Sequence, residues 1–174
     1  MRGESATFQS ADVERFLDEF LDIEREDLVG RLEAASARLA DLAPRIPKGA
    51  AAGTSSWNAH EILAHVVALG KLYGMLTYKI GSGALTEFDL MAMVNQRDAA
   101  GEALAQLEDD ELLTMAQADH RRTLDYVRGA SAADLRRRCQ LGAGREMSAG
   151  EVLRLPLVAH LEQHVRQLEA ALQD

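Results

Sequence analysis

Three histidines in this chain have the types and spacing for metal chemistry. His160 and His164 stand four apart near the C-terminus, and His65 lies far upstream. A spacing of four sets two imidazoles side by side on one helical face. A third imidazole from another helix would complete a three-nitrogen set. That is the ligand count of a zinc site whose fourth position stays open for water or substrate.

The neighbours of these residues point them inward. His65 shares a face with Ile62, Leu69, Leu72 and Leu76; His160 and His164 share one with Leu153, Leu157, Gln167 and Ala171. A bundle core is where facing helices supply metal ligands. Spacing alone leaves a second reading open, in which each imidazole is a core residue held by a hydrogen bond, since an unpaired buried ring is costly. His120, on a face with Leu113, Leu124 and Val127, either reaches the same core as a ligand or supports it from the boundary. His60, in a first helical turn, reads as boundary or exposed. Gln167, one turn past His164, either hydrogen-bonds a water on the metal or faces solvent.

No catalytic acid or base can be named. Cys139 is the only cysteine, and Arg136, Arg137 and Arg138 could lower its pKa, but no base is evident beside it. Nothing resembles a phosphate loop or a Ser-His-Asp order.

The elements that must position the histidines read as helices, because Ala, Leu, Glu, Arg and Gln dominate and proline is scarce. The first helix is expected from about Ala11 to Ala43. Its bundle-facing stripe is Leu21, Leu28, Ala35 and Leu42 with Leu32 and Leu39, and Pro44 and Pro47 end it. Lys48 to Ser56 reads as a loop. Asn58 caps the second helix, with Glu61 reaching back as a capping box and Trp57 and Ile62 in the places of a hydrophobic staple. It runs to about Ile80, before Gly81, Ser82 and Gly83.

Phe88 to Ala105 has helical composition interrupted by Gly101. A third main helix, capped by Asp109 or Asp110, ends at Gly129, and Ser131 to Asp134 cap one short turn. Gly142 to Arg145 is a turn. Met147, Ser148, Glu151 and Val152 then repeat the start of the second helix, and the last helix runs to about Leu172 with a kink at Pro156. No strand signal appears. His65 falls roughly 10 Å and His160 roughly 18 Å past their caps, so they can be level with the helices parallel or antiparallel. The expectation is an all-α four-helix bundle with short extra helical turns between helices 2, 3 and 4. It forms a single domain over residues 1–174, with its core at about 12–172.

Composition excludes several partners. A net charge of −9 argues against a binder of nucleic-acid backbones, and the one arginine run reads as a solvated helix surface. No polybasic amphipathic segment or long apolar run suggests a membrane. Met1 to Ser10 has no apolar core of a signal peptide, and a lone cysteine forms no internal disulfide, so a cytoplasmic setting is expected. Gly70, Gly74 and Ala68 could permit close helix contact, within the chain or in a homodimer.

The segments around the histidines resemble a known family. Trp57-Asn58-Ala59-His60-Glu61-Ile62-Leu63-Ala64-His65-Val66 is similar to the tryptophan-to-histidine signature of DinB-like proteins, and His160-Leu161-Glu162-Gln163-His164-Val165-Arg166-Gln167 to their H-x3-H-x2-Q motif. Phe88 to Asn95 and the turn at Ser131 to Leu135 also resemble the mycothiol-dependent maleylpyruvate isomerase branch. That branch often has glutamate where His160 stands, so the all-histidine DinB pattern fits better. The resemblance covers about Asp12 to Leu172. It implies a four-helix bundle with one divalent metal, zinc or nickel, on His65, His160 and His164. It also implies a thiol-dependent S-transferase or isomerase, or a metal-dependent hydrolase, acting on a small electrophile, with a low-molecular-weight thiol as partner. The alternative is a non-enzymatic stress-related or dimerising bundle with a vestigial site.

Overall fold

Five helices and one composite C-terminal helix make up nearly all of the described residues, 9–47 and 57–172 of a computed structural model. The loop expected from Lys48 to Ser56 lies outside the described residues, as do residues 1–8 of the stretch read as lacking a signal peptide. Helix α1 is Ser10–Leu42, closed by a 3-10 turn at Ala43–Arg45 around Pro44. Helix α2 is Ala59–Gly81, α3 Leu90–Leu104, α4 Asp109–Gly129 and α5 Ala132–Arg136. A hairpin of β1, Arg138–Gln140, and β2, Glu146–Ser148, leads into α6, Ala149–Val152. A π-helical segment, Leu153–Ala159, joins α6 to α7, His160–Ala170. Among the described residues the fold is all-α, with this two-stranded ribbon and an isolated bridge between Glu87 and Gln140 beside the helices.

The matched helix starts carry matched capping boxes. Asn58 Oδ1 accepts from Glu61 N at 3.0 Å, and Glu61 Oε2 accepts from Asn58 N at 2.8 Å. Ser148 Oγ accepts from Glu151 N at 3.2 Å, and Glu151 Oε2 accepts from Ser148 N at 2.7 Å. Each box satisfies two backbone donors that a helix start leaves orphaned. Ser131 and Asp134 close a third box at α5. Helix α4 departs from expectation: its cap is Glu108, boxed with Glu111, while Asp109 and Asp110 occupy the first turn, where carboxylates favour the helix dipole. Helix α3 runs unbroken through Gly101, which a helix tolerates at about 1 kcal/mol relative to alanine.

Pro156, where a kink is expected, lies within the π-helical segment. Proline lacks the N–H that an α-helix would use at that point, and a wider turn accommodates the loss. The hairpin was not expected. Its register pairs Arg138 with Ser148, Cys139 with Met147 and Gln140 with Glu146, around a turn in which Gly142, Ala143 and Gly144 all have positive φ. Three-residue strands leave too short a run for an alternating pattern to show. Arg136, Arg137 and Arg138 form no basic patch: Arg136 pairs with Asp18, Arg137 donates to the Gly81 carbonyl, and Arg138 pairs with Glu146.

Side-chain pairs fix the topology. Arg154 meets Glu24 at 2.6 Å, Arg31 meets Glu162 at 2.8 Å, and Arg38 meets Glu169, so the C-terminal helix runs parallel to α1. Arg128 meets Glu33 and His120 meets Ser36, so α4 runs antiparallel to α1. His60 reaches Asp109, while Gly70 and Gly74 lie against His120 and Thr123, so α4 and α2 are parallel. Helix α4 and the C-terminal helix each pack on both α1 and α2, which places those two at opposite corners of the bundle. One hydrophobic cluster runs through all four helices, from Leu32 and Leu39 through Ile62 and Leu76 to Leu112, Leu157 and Leu168. On α1 the burial begins only at Leu28; Leu21, expected in the stripe, is half-buried.

Gly70 and Gly74 serve this packing within the chain. A Cβ on Gly70 would stand 3.2 Å from His120 Nε2, and one on Gly74 would collide with Thr123 Oγ1. Glycine here permits the close approach of α2 to α4.

Candidate metal centre

The bundle brings His65, on α2, against His160 and His164, on α7. Ring centroids are 5.6 Å apart for His65–His160, 5.0 Å for His65–His164 and 4.6 Å for His160–His164. One nitrogen from each lies within 4.8 Å of the others. A tetrahedral metal with Zn–N of about 2.0–2.1 Å asks for nitrogens roughly 3.3 Å apart. His65 and His160 are half-buried, so modest side-chain rotation can close that difference.

His164 is the most buried of the three imidazoles. It is 5% exposed, and its Nδ1 sits 2.7 Å from Gln167 Oε1. The amide oxygen accepts, so Nδ1 holds the proton and Nε2 presents a lone pair. That Nε2 is buried without a hydrogen-bond partner. A buried acceptor without a partner is costly unless a proton or metal meets it. Gln167, expected to support the site through bound water or to face solvent, accepts a hydrogen bond from the His164 ring.

The electrostatics keep all three imidazoles neutral at ordinary pH. Burial, then His164 and His160, then Arg97, push His65 to about 4. Burial, His164 and Arg97 bring His160 to about 4 as well. Burial lowers His164 against the opposing pull of Gln167. Neutral imidazole is the form a metal takes, so no proton need be displaced near pH 7.

The other two histidines stand apart from this cluster. His120 is buried at the α1–α4 contact, its Nδ1 3.0 Å from Ser36 Oγ, and it does not join the three ligand nitrogens. His60 bridges Asp109 and, at 2.9 Å, the Ala105 carbonyl, tying α2 to the α3–α4 junction. Cys139 is buried in β1, and burial followed by Glu87 raises its pKa, so the thiol stays protonated and unreactive despite the adjacent arginines.

A cleft of about 320 Å³ opens beside His65, lined by Trp57, Asp98, Gly101, Glu102 and Ala105 among others. That volume suits a small molecule. Trp57, expected as the outer half of a staple, lays its ring 4.6 Å from that of His65. Arg97, on α3, binds Asp98 through Nε and Nη2 and Tyr73 Oη at 3.3 Å through Nη1. Sequence reading missed Arg97 and the cleft, because α3 buries no side chain fully and shows no strong periodicity.

The family model of the DinB superfamily matches residues 21–168, a span that holds the helical bundle and its three-histidine cluster. The chain belongs to the DinB superfamily. No curated protein and no solved structure matches it. Among the described residues, no helix is long and apolar enough to cross a membrane.

Proposed function

We propose that this protein binds one divalent metal, zinc or nickel, through His65, His160 and His164, and uses it on a small thiol or electrophile. The observation carrying this reading is the convergence of His65, His160 and His164, with one ligand nitrogen of each within 4.8 Å of the others and Nε2 of His164 buried without a hydrogen-bond partner. The donor set fits the metal: three imidazoles suit zinc or nickel and leave a coordination position open. When bound, such a metal acts as a Lewis acid that lowers the pKa of a thiol or water at its open position.

The chain's own residues supply the rest. Gln167 orients His164, and Trp57 flanks His65 beside the cleft. The cleft gives a small molecule access to the His65 side of the triad. The reaction class of this reading is a thiol-dependent transfer or isomerisation, or a hydrolysis. Loading the protein with nickel and adding 2-mercaptoethanol tests the thiol arm, because a nickel-bound thiolate gives a near-ultraviolet charge-transfer band. Retained nickel without such a band would leave the metal reading standing and remove the thiol.

A further inference from the structure

The cleft beside His65 is lined with one sign of charge. Three carboxylates, Glu61, Asp98 and Glu102, line it, and no lysine or arginine is among its lining residues. Glu61 accepts a hydrogen bond from the Asn58 N–H, which does not cancel its charge, and Glu102 is exposed. Arg97, the neighbour of Asp98, already donates to that carboxylate and to Tyr73 Oη. A cleft lined by one sign of charge focuses its field and concentrates ligands of the opposite sign. Trp57, 41% exposed, adds an indole to the same lining, and indole faces attract cations. We propose that this cleft takes a small molecule bearing a positively charged ammonium group at the end away from the triad. The inference rests on the proposed use of the triad on a small thiol or electrophile, and it names the charge of that molecule.

A second observation, independent of charge, points to an occupant. Gly101 lies inside α3, although glycine is a poor helix former. Apart from its own helix backbone and chain neighbours, nothing lies within 4 Å of where its Cβ would stand. Close helix packing therefore does not call for glycine here, as it does at Gly70 and Gly74. Gly101 lines the cleft, and its missing side chain keeps room in a cavity of about 320 Å³. An anionic ligand would find Arg97 already bonded and three carboxylates against it.

Two titrations test this. In the first, the metal-free protein is titrated with choline and with its uncharged isostere 3,3-dimethylbutan-1-ol, read by the fluorescence of Trp57. Choline is expected to act at the lower concentration. Glu102→Gln is expected to weaken choline roughly two- to fivefold, the scale of an exposed ion pair, and to leave the alcohol unchanged. Gly101→Leu, which fills the cleft, is expected to weaken both. In the second, the nickel-loaded protein is titrated with thiocholine, 2-mercaptoethanol and 2-mercaptoethanesulfonate, read by the charge-transfer band. Glu102→Lys is expected to weaken thiocholine roughly fivefold or more, leave 2-mercaptoethanol unchanged and strengthen the sulfonate. Comparing variant with wild type for one thiol at a time removes differences in thiol acidity. An equal response to choline and the alcohol, including none from either, overturns the proposal. So do bands from all three thiols that Glu102→Lys does not shift, and these leave the thiol reading standing. No band from any thiol, with the preference for choline intact, removes the thiol and keeps the selection for a cation.

Discussion

His164 Nδ1 and Gln167 Oε1 lie 2.7 Å apart, one helical turn from each other on α7. The bond fixes the proton on Nδ1 and leaves the lone pair on Nε2, the buried nitrogen without a hydrogen-bond partner. Replacing Gln167 with alanine removes that constraint without touching a ligand atom. Metal affinity is expected to fall roughly 10–100-fold, the usual effect of losing a partner that orients a ligand. Gln167→Glu, which keeps an acceptor, is expected to restore much of it. Competition with a chromophoric chelator measures both, and equal affinity in wild type and Gln167→Ala would contradict the role.

Trp57 is the only tryptophan, and its ring lies 4.6 Å from that of His65. Nickel at the triad is therefore expected to quench the intrinsic fluorescence and saturate at one equivalent. His65→Ala is expected to abolish the quenching. A titration with no fluorescence change in the wild type would count against a metal at His65.

Gly74→Ala should destabilise the fold. Its Cβ would collide with Thr123 Oγ1, itself buried and bonded to the Asp119 carbonyl at 3.0 Å. Overpacking costs about 1–3 kcal/mol, and the better helix propensity of alanine offsets up to about 1. A net loss of roughly 1–2 kcal/mol, or about 2–8 °C in Tm, is expected for a chain of this size. An unchanged or higher Tm would show that α2 and α4 have room to part.

The main helices, the caps Asn58, Ser131 and Ser148 and the convergence of the three histidines were legible in the sequence because each leaves a local mark. Asn58 with Glu61 and Ser148 with Glu151 announce helix starts within four residues, and the histidines share faces with leucines. Glu108 was missed as a cap because three acids follow it and any of the first could serve. The hairpin strands are too short to alternate visibly. The contact of Gln167 with His164 was within reach of i, i+3 spacing, yet spacing does not say which partner a side chain prefers. Arg97 and the cleft depend on where α3 docks, which no local pattern encodes.

His120 gives the metal-free protein a pH dependence. Burial pushes its pKa from 6.5 to about 4, against the opposing pull of Asp119. With the folded pKa below the unfolded one, the folded state binds fewer protons between those values. The contribution is full above pH 6.5 and is lost as pH falls toward 4. The triad histidines act in the same direction, so the informative quantity is the difference from His120→Gln. Wild type is expected to lose on the order of 3 kcal/mol more than the variant over that window. Parallel denaturation curves for the two proteins at pH 7 and pH 4.5 would contradict this.

Metal content decides the central claim. After loading with zinc or nickel and exhaustive dialysis, elemental analysis of the wild type is expected to give one metal per chain. His164→Ala, folded by circular dichroism, is expected to give essentially none. A wild type that retains no metal, or a His164→Ala variant that retains as much, would contradict a three-histidine metal centre.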